Sequence, residues 1–149
     1  MTKPSQLKVA SFAVALYTGW NAQSLIAAWQ HSPFDRADVL AWLTWMVPVV
    51  LGLFGTTEPR MVWLGAALVL TFSGLLLDLN LLSHLALAAA CAGLTAPRRS
   101  FWVWLPMALT WMPLFGYFFS KYGLGIVAIG SLRVLFAAAG TLGYYWIKR

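Results

Sequence analysis

The apolar residues of this chain run in six long segments, and most of its charged residues sit between them. The first segment covers about Val9–Trp29, with Asn21, Gln23 and Ser24 near its far end. A turn-like connector follows, Gln30–Arg36, holding Ser32-Pro33 and Asp35-Arg36. Asp35 or Asp38 is positioned to cap the next helix. The second segment, about Ala37–Phe54, places Trp42 and Trp45 on one face and has Pro48 inside it; Gly55–Arg60 ends it. From Met61 to Leu94 the chain is nearly unbroken. As a single helix rising ~1.5 Å per residue, it would far exceed the ~30 Å hydrocarbon core of a bilayer. Two shorter helices, Met61–Leu77 and a fourth segment running to Leu94, joined by a tight turn near Asp78–Asn80, fit better. Thr95–Ser100 punctuates the chain again. The fifth segment, Phe101–Phe119, carries Trp104-Leu105-Pro106 and Trp111-Met112-Pro113, two motifs seven residues apart and so on one face of a bent helix with interfacial tryptophans. After a turn at Ser120–Gly123, the sixth segment, Leu124–Ile147, ends in Tyr144, Tyr145 and Trp146. These read as an aromatic belt, followed by the basic anchor Lys148-Arg149.

The stretch Asp78–Leu94 concentrates the polar chemistry of the chain in Asp78, Asn80, Ser83, His84 and Cys91. As a helix it places Asn80, Ser83, His84, Leu87, Ala88 and Cys91 on one face. Small residues on that face let neighbouring helices approach closely, so this helix is expected to be central.

Composition places these segments in a membrane. Of 149 residues, 61% are hydrophobic and 9% charged, whereas a soluble domain has about 25% charged residues. The net charge of +6 does not point to nucleic acid, because the basic residues flank apolar runs and form no patch. Six spans would put Lys3, Lys8, Arg60, Arg98, Arg99, Lys148 and Arg149 on one side, and Arg36 and Lys121 on the other. By the positive-inside rule this predicts N-in, C-in topology. The expected fold is an all-α integral membrane protein, a compact bundle of about six transmembrane helices in one domain over residues 1–149. Its expected location is the inner membrane of a bacterium. The first segment is too long for a typical signal-peptide core and is expected to be retained.

Arg133 lies inside the sixth segment. A charge at such a position must snorkel, pair or line a wet cavity. Asp78 is its expected partner, with Asn80 and His84 as further members of an intramembrane polar network. His31 and Asp35 are four apart, but two ligands in a turn do not make a metal site, and no metal is expected. Cys91 is the sole cysteine, so no intrachain disulfide forms. On its own helix it lies two turns from His84, too far for direct activation as a thiolate. Gly123, Gly130, Ala137 and Gly140 can help close packing around the last segment.

Ala90-Cys91-Ala92-Gly93-Leu94 and Ser131-Leu132-Arg133-Val134 resemble the cysteine and arginine motifs of the exosortase/archaeosortase membrane family. That resemblance implies a cysteine transpeptidase or protease with Cys91 as nucleophile and Arg133 as oxyanion or carboxylate binder. The family's later histidine has no counterpart after Arg133. In another register, Trp29–Pro33, Trp63-Leu64-Gly65 and Leu105–Phe115 resemble the family's non-catalytic half.

The leading expectation is a non-enzymatic membrane subunit, surrounded by the lipid bilayer and packed against other membrane subunits or copies of itself. Its nine tryptophans, nine phenylalanines and five tyrosines suit contact with apolar partners or with a lipid or pigment-like cofactor. The alternatives are the exosortase-like enzyme and a small transporter in which Arg133 and Asp78 line the path.

Overall fold

A computed structural model describes residues 4–55 and 58–147. Among them every regular element is helical. Lys3, Lys148 and Arg149, which carry part of the charge argument for topology, lie outside the described residues, as does the basic anchor after Trp146.

The apolar runs do not map one for one onto helices. The first run divides into α1 (Pro4–Asn21) and α2 (Ser24–His31). At the break the Asn21 side-chain amide donates to the Tyr17 carbonyl at 2.8 Å. Such local side-chain bonds compete with the helical ladder. The second run forms α3 (Asp38–Leu53), with Pro48 inside it. The long third run forms the expected hairpin, α4 (Met61–Leu77) and α5 (Asn80–Leu94). Asp78 turns the corner in the left-handed region, at φ 52° and ψ 42°, and its backbone N–H donates to the Gly74 carbonyl.

The fifth run breaks most. It gives a single turn, α6 (Phe101–Trp104), then a 3-10 segment, Leu105–Trp111, and then α7 (Pro113–Lys121). Pro106 and Pro113 explain this, because each removes an N–H that a continuous α-helix would use. The last run forms α8 (Ile126–Trp146). Among the described residues α8 is the one helix long and apolar enough to cross a membrane, with a mean hydropathy of 1.8; α3, α4, α5 and Phe101–Trp111 are apolar but shorter.

The helices sort into two compact units, Met1–Ser24 with Pro48–Pro97 and Leu25–Val47 with Arg98–Arg149. In the first, α5 is the most buried element: Ser83, His84, Ala86 and every residue from Ala88 to Gly93 are inside. It packs on α4 through small side chains, with Ala67, Ala89 and Ala90 at the centre and Val14, Ala15, Trp63 and Leu70 around them. The approach is close enough that a Cβ on Gly74 would sit 3.0 Å from Ser83 Oγ, and one on Gly93 would sit 2.8 Å from Leu64 Cδ2. Small residues at these positions let the two helices approach closely.

The second unit is built around tryptophans. Trp45, Trp104 and Trp111 are each 0% exposed. Trp45 and Trp104 stack at 4.3 Å with rings 7° apart. Each donates its indole N–H to the other's carbonyl, at 3.0 and 2.9 Å. Trp111 lies 5.5 Å from Trp45 and Tyr144 lies 5.8 Å from Trp104, ring centre to ring centre. Trp104, Trp111 and Tyr144 are therefore core residues, which corrects the expectation that they sit at a membrane interface. Buried indoles need hydrogen-bond partners, and the bent backbone around the prolines supplies carbonyls to two of them.

Candidate functional site

The second unit holds the most unusual chemistry of the chain, a buried ion cluster built on α8. One face of α8 presents Ile129, Arg133, Ala137, Gly140 and Tyr144, a three-four spacing that faces its own unit. Arg133 is the charged member of that row and is 0% exposed.

Its partners come from the connector before α3. Two successive turns, Asp35 N–H to Ser32 O and Asp38 N–H to Asp35 O, each 3.1 Å, fold this short stretch. They bring the carboxylates of Asp35 and Asp38 to one guanidinium. Arg133 Nη2 donates to Asp35 Oδ1 at 2.6 Å, and Nη1 pairs with Asp38 Oδ1. Asp35 and Asp38 are 6% and 0% exposed. The Trp29 indole is directed at Asp38 without closing a well-aligned hydrogen bond.

The expected Arg133–Asp78 pair is corrected. Arg133 takes Asp35 and Asp38, while Asp78 is an exposed corner residue of the α4–α5 hairpin. Asp35 and Asp38, read from sequence as caps, serve as counter-ions instead. Nothing in local spacing distinguishes these roles, because the pairing joins residues 98 apart in the chain.

The guanidinium also repairs a broken helix. Pro113 has no N–H, so the Thr110 carbonyl has no i+3 donor to complete the 3-10 pattern. Arg133 Nη1 fills that role, donating to Thr110 O at 2.7 Å and to Met112 O at 3.1 Å. Arg133 Cζ sits 5.2 Å from the Phe115 ring centre, in cation–π range. Gly116 leaves room for the cluster, since a Cβ there would clash with Arg133 Nη2 and lie 2.7 Å from Asp35 Oδ1.

A second proline is handled the same way. Pro48 leaves the Thr44 carbonyl without its i+4 donor. Thr141 Oγ1 on α8 donates to it at 2.9 Å. At the far end of α8, Ser100 Oγ donates to Tyr144 O at 2.6 Å. α8 is thus bound along its length by polar contacts to backbone that the prolines and helix ends leave open.

The other expected site residues lie in the first unit. His84 is buried, and its Nε2 shares a 2.8 Å hydrogen bond with Ser24 Oγ. Asn80 is exposed at the first turn of α5 and does not join His84 in a buried network. Cys91 is 3% exposed between Ala90 and Ala92. Of the expected network, Asp78, Asn80 and His84 lie in the first unit and Arg133 in the second. His84 bonds Ser24 in the first unit, and Arg133 bonds two aspartates in the second.

No group of three or more His, Cys, Asp or Glu side chains suited to a metal ion occurs among the described residues. One guanidinium faces two aspartates in a site closed to water. Such a cluster can fix one packing arrangement. Comparison of the chain with protein-family models, with curated proteins and with solved structures returns no match.

Proposed function

We propose that this chain is a multi-pass integral membrane subunit that packs against partner membrane proteins or copies of itself. The observation that carries the reading is the reversed distribution of polarity. Arg133, Asp38, Thr71, Ser83 and His84 are inside, while Phe54, Val62, Leu76, Val127 and Trp146 are each more than 80% exposed. A water-facing surface does not carry so many large apolar side chains in contiguous runs. Lipid tails or an apolar partner suit them.

In this reading α8 crosses the bilayer unaided. The shorter α3, α4 and α5 cross by local thinning or by lying against neighbours, as short segments do. The Asp35–Arg133–Asp38 cluster ties α8 to the connector before α3, and Arg133 also ties it to the proline-broken segment. Exposed aromatic and aliphatic faces then meet lipid, a partner helix or a pigment-like cofactor.

Mild-detergent extraction followed by native mass spectrometry tests the subunit reading. A fixed stoichiometry with other chains, with itself or with a bound apolar molecule supports it. Emergence as a bare monomer at every detergent concentration rejects it.

A transporter is the second reading, favoured by the placement of a buried ion cluster at a helix break. Transporters use such discontinuous helices to bind their ions. Ion or solute flux into liposomes that Arg133→Met abolishes would support it, and equal flux in empty liposomes would remove it.

A further inference from the structure

Beside the ion cluster, the second unit carries an open groove of about 660 Å³, lined by Phe34, Ala37, Leu40, Val127, Val134 and Leu135 among others. Its volume lies within the ~300–1,000 Å³ range of ligand sites. Its walls are aliphatic and aromatic, and its polar side chains are Arg36 and Ser131. Arg36 is exposed and, among the described residues, pairs with no acidic side chain. The two carboxylates beside it in sequence are committed to Arg133. The connector thus separates its charges. Asp35 and Asp38 turn inward, and a free guanidinium is left over an apolar trough.

We propose that this groove binds an anionic phospholipid, with one acyl chain along the trough and the phosphate on Arg36. The proposal rests on the membrane reading and names the ligand class for this face. A guanidinium forks onto two phosphate oxygens, which a point charge does not do. The Ser131 hydroxyl offers a further donor to the headgroup or glycerol oxygens. A zwitterionic lipid fills the same trough but brings its own cation to the phosphate, so the selectivity lies in the charge on Arg36. An aqueous cofactor would leave the trough's aliphatic walls without an apolar filling.

The test uses the full chain purified in mild detergent and titrated with phosphatidylglycerol or phosphatidylcholine of matched acyl chains, read by native mass spectrometry. One basic residue near a membrane surface is worth about a fivefold preference for anionic lipid. The wild-type protein is expected to prefer phosphatidylglycerol by about that factor. Arg36→Gln should bring the ratio to about one while leaving phosphatidylcholine binding unchanged. Val127→Trp, which fills the trough from a position 82% exposed, should weaken both lipids. Retention of the preference in Arg36→Gln, or wild-type binding of both lipids in Val127→Trp, overturns the proposal. Alkaline carbonate washing of membranes bearing each variant separates the two levels of failure. Release of the protein by carbonate sinks the membrane reading, whereas a carbonate-resistant protein without the expected lipid preference sinks this site alone.

Discussion

Replacing Arg133 with methionine keeps much of the volume and removes the charge. Two buried carboxylates, Asp35 and Asp38, then face no cation, and the Thr110 carbonyl loses the donor that stands in for the missing N–H of Pro113. Breaking a buried ion pair from one side costs about 3–5 kcal/mol. An orphaned buried carbonyl adds about 1–3 kcal/mol. Met112 O is less affected because the Phe115 N–H also donates to it, at 3.0 Å. The terms share one side chain and do not add fully, so about 4 kcal/mol is the expected loss. At about 2–4 °C per kcal/mol for a chain of this size, Tm should fall by about 8–16 °C. Intrinsic tryptophan fluorescence during thermal or detergent-titrated unfolding reads this directly, because Trp45, Trp104 and Trp111 belong to the same unit. Adding Asp35→Asn and Asp38→Asn to Arg133→Met should recover part of the loss, since neutral amides no longer carry an uncompensated charge. A loss under about 1 kcal/mol for Arg133→Met, or a triple variant no better than the single one, would show that the cluster is not a buried ion pair.

Gly116→Ala should destabilise the protein nearly as much as losing the pair, because its Cβ would clash with Arg133 Nη2 and Asp35 Oδ1; thermal melting checks it, and a wild-type Tm would contradict the geometry. Thr141→Val should cost about 1–3 kcal/mol by stranding the Thr44 carbonyl. In a Pro48→Ala background the same change should cost much less, because the restored N–H takes over. A double-mutant cycle showing no coupling would refute that account. Asp78→Gly should be neutral or slightly stabilising and Asp78→Val destabilising by about 1–2 kcal/mol, since the left-handed corner disfavours a β-branched side chain. Destabilisation by Asp78→Gly as large as that from Asp35→Asn would restore Asp78 as an ion-pair residue.

How far the site could be read from sequence depends on the range of the interaction. Arg133 stands out locally, because a charge inside an apolar run needs a partner wherever the run is placed. The partner does not. Asp35 and Asp38 sit before an apolar segment with the spacing of ordinary capping residues, whereas Asp78 is the acidic residue near the middle segments on the matching side of the expected topology. The α4–α5 hairpin was legible because its signals are local, with an unbroken apolar run too long for one span and a polar residue at its middle. The splitting of the fifth run was only half legible. Two prolines announce a bend, but not that Leu105–Trp111 would adopt 3-10 geometry or that its tryptophans would turn inward.

The sequence by itself determined the helical class, the corners at Asp78 and at the Ser32-Pro33 connector, a bend at Pro106 and Pro113, and the demand of Arg133 for a counter-ion. Each follows from backbone chemistry or burial of a single residue, quantities that do not depend on distant neighbours. Only the tertiary structure decided which acids answer that demand, which carbonyls freed by proline meet Arg133 and Thr141, and that Trp45 and Trp104 stack and exchange hydrogen bonds. It also decided that His84 and Arg133 belong to different units. The physical reason is that hydrogen bonds and ion pairs act over a few ångströms. They are settled by which segments pack together, and many packings are compatible with the same pattern of apolar runs.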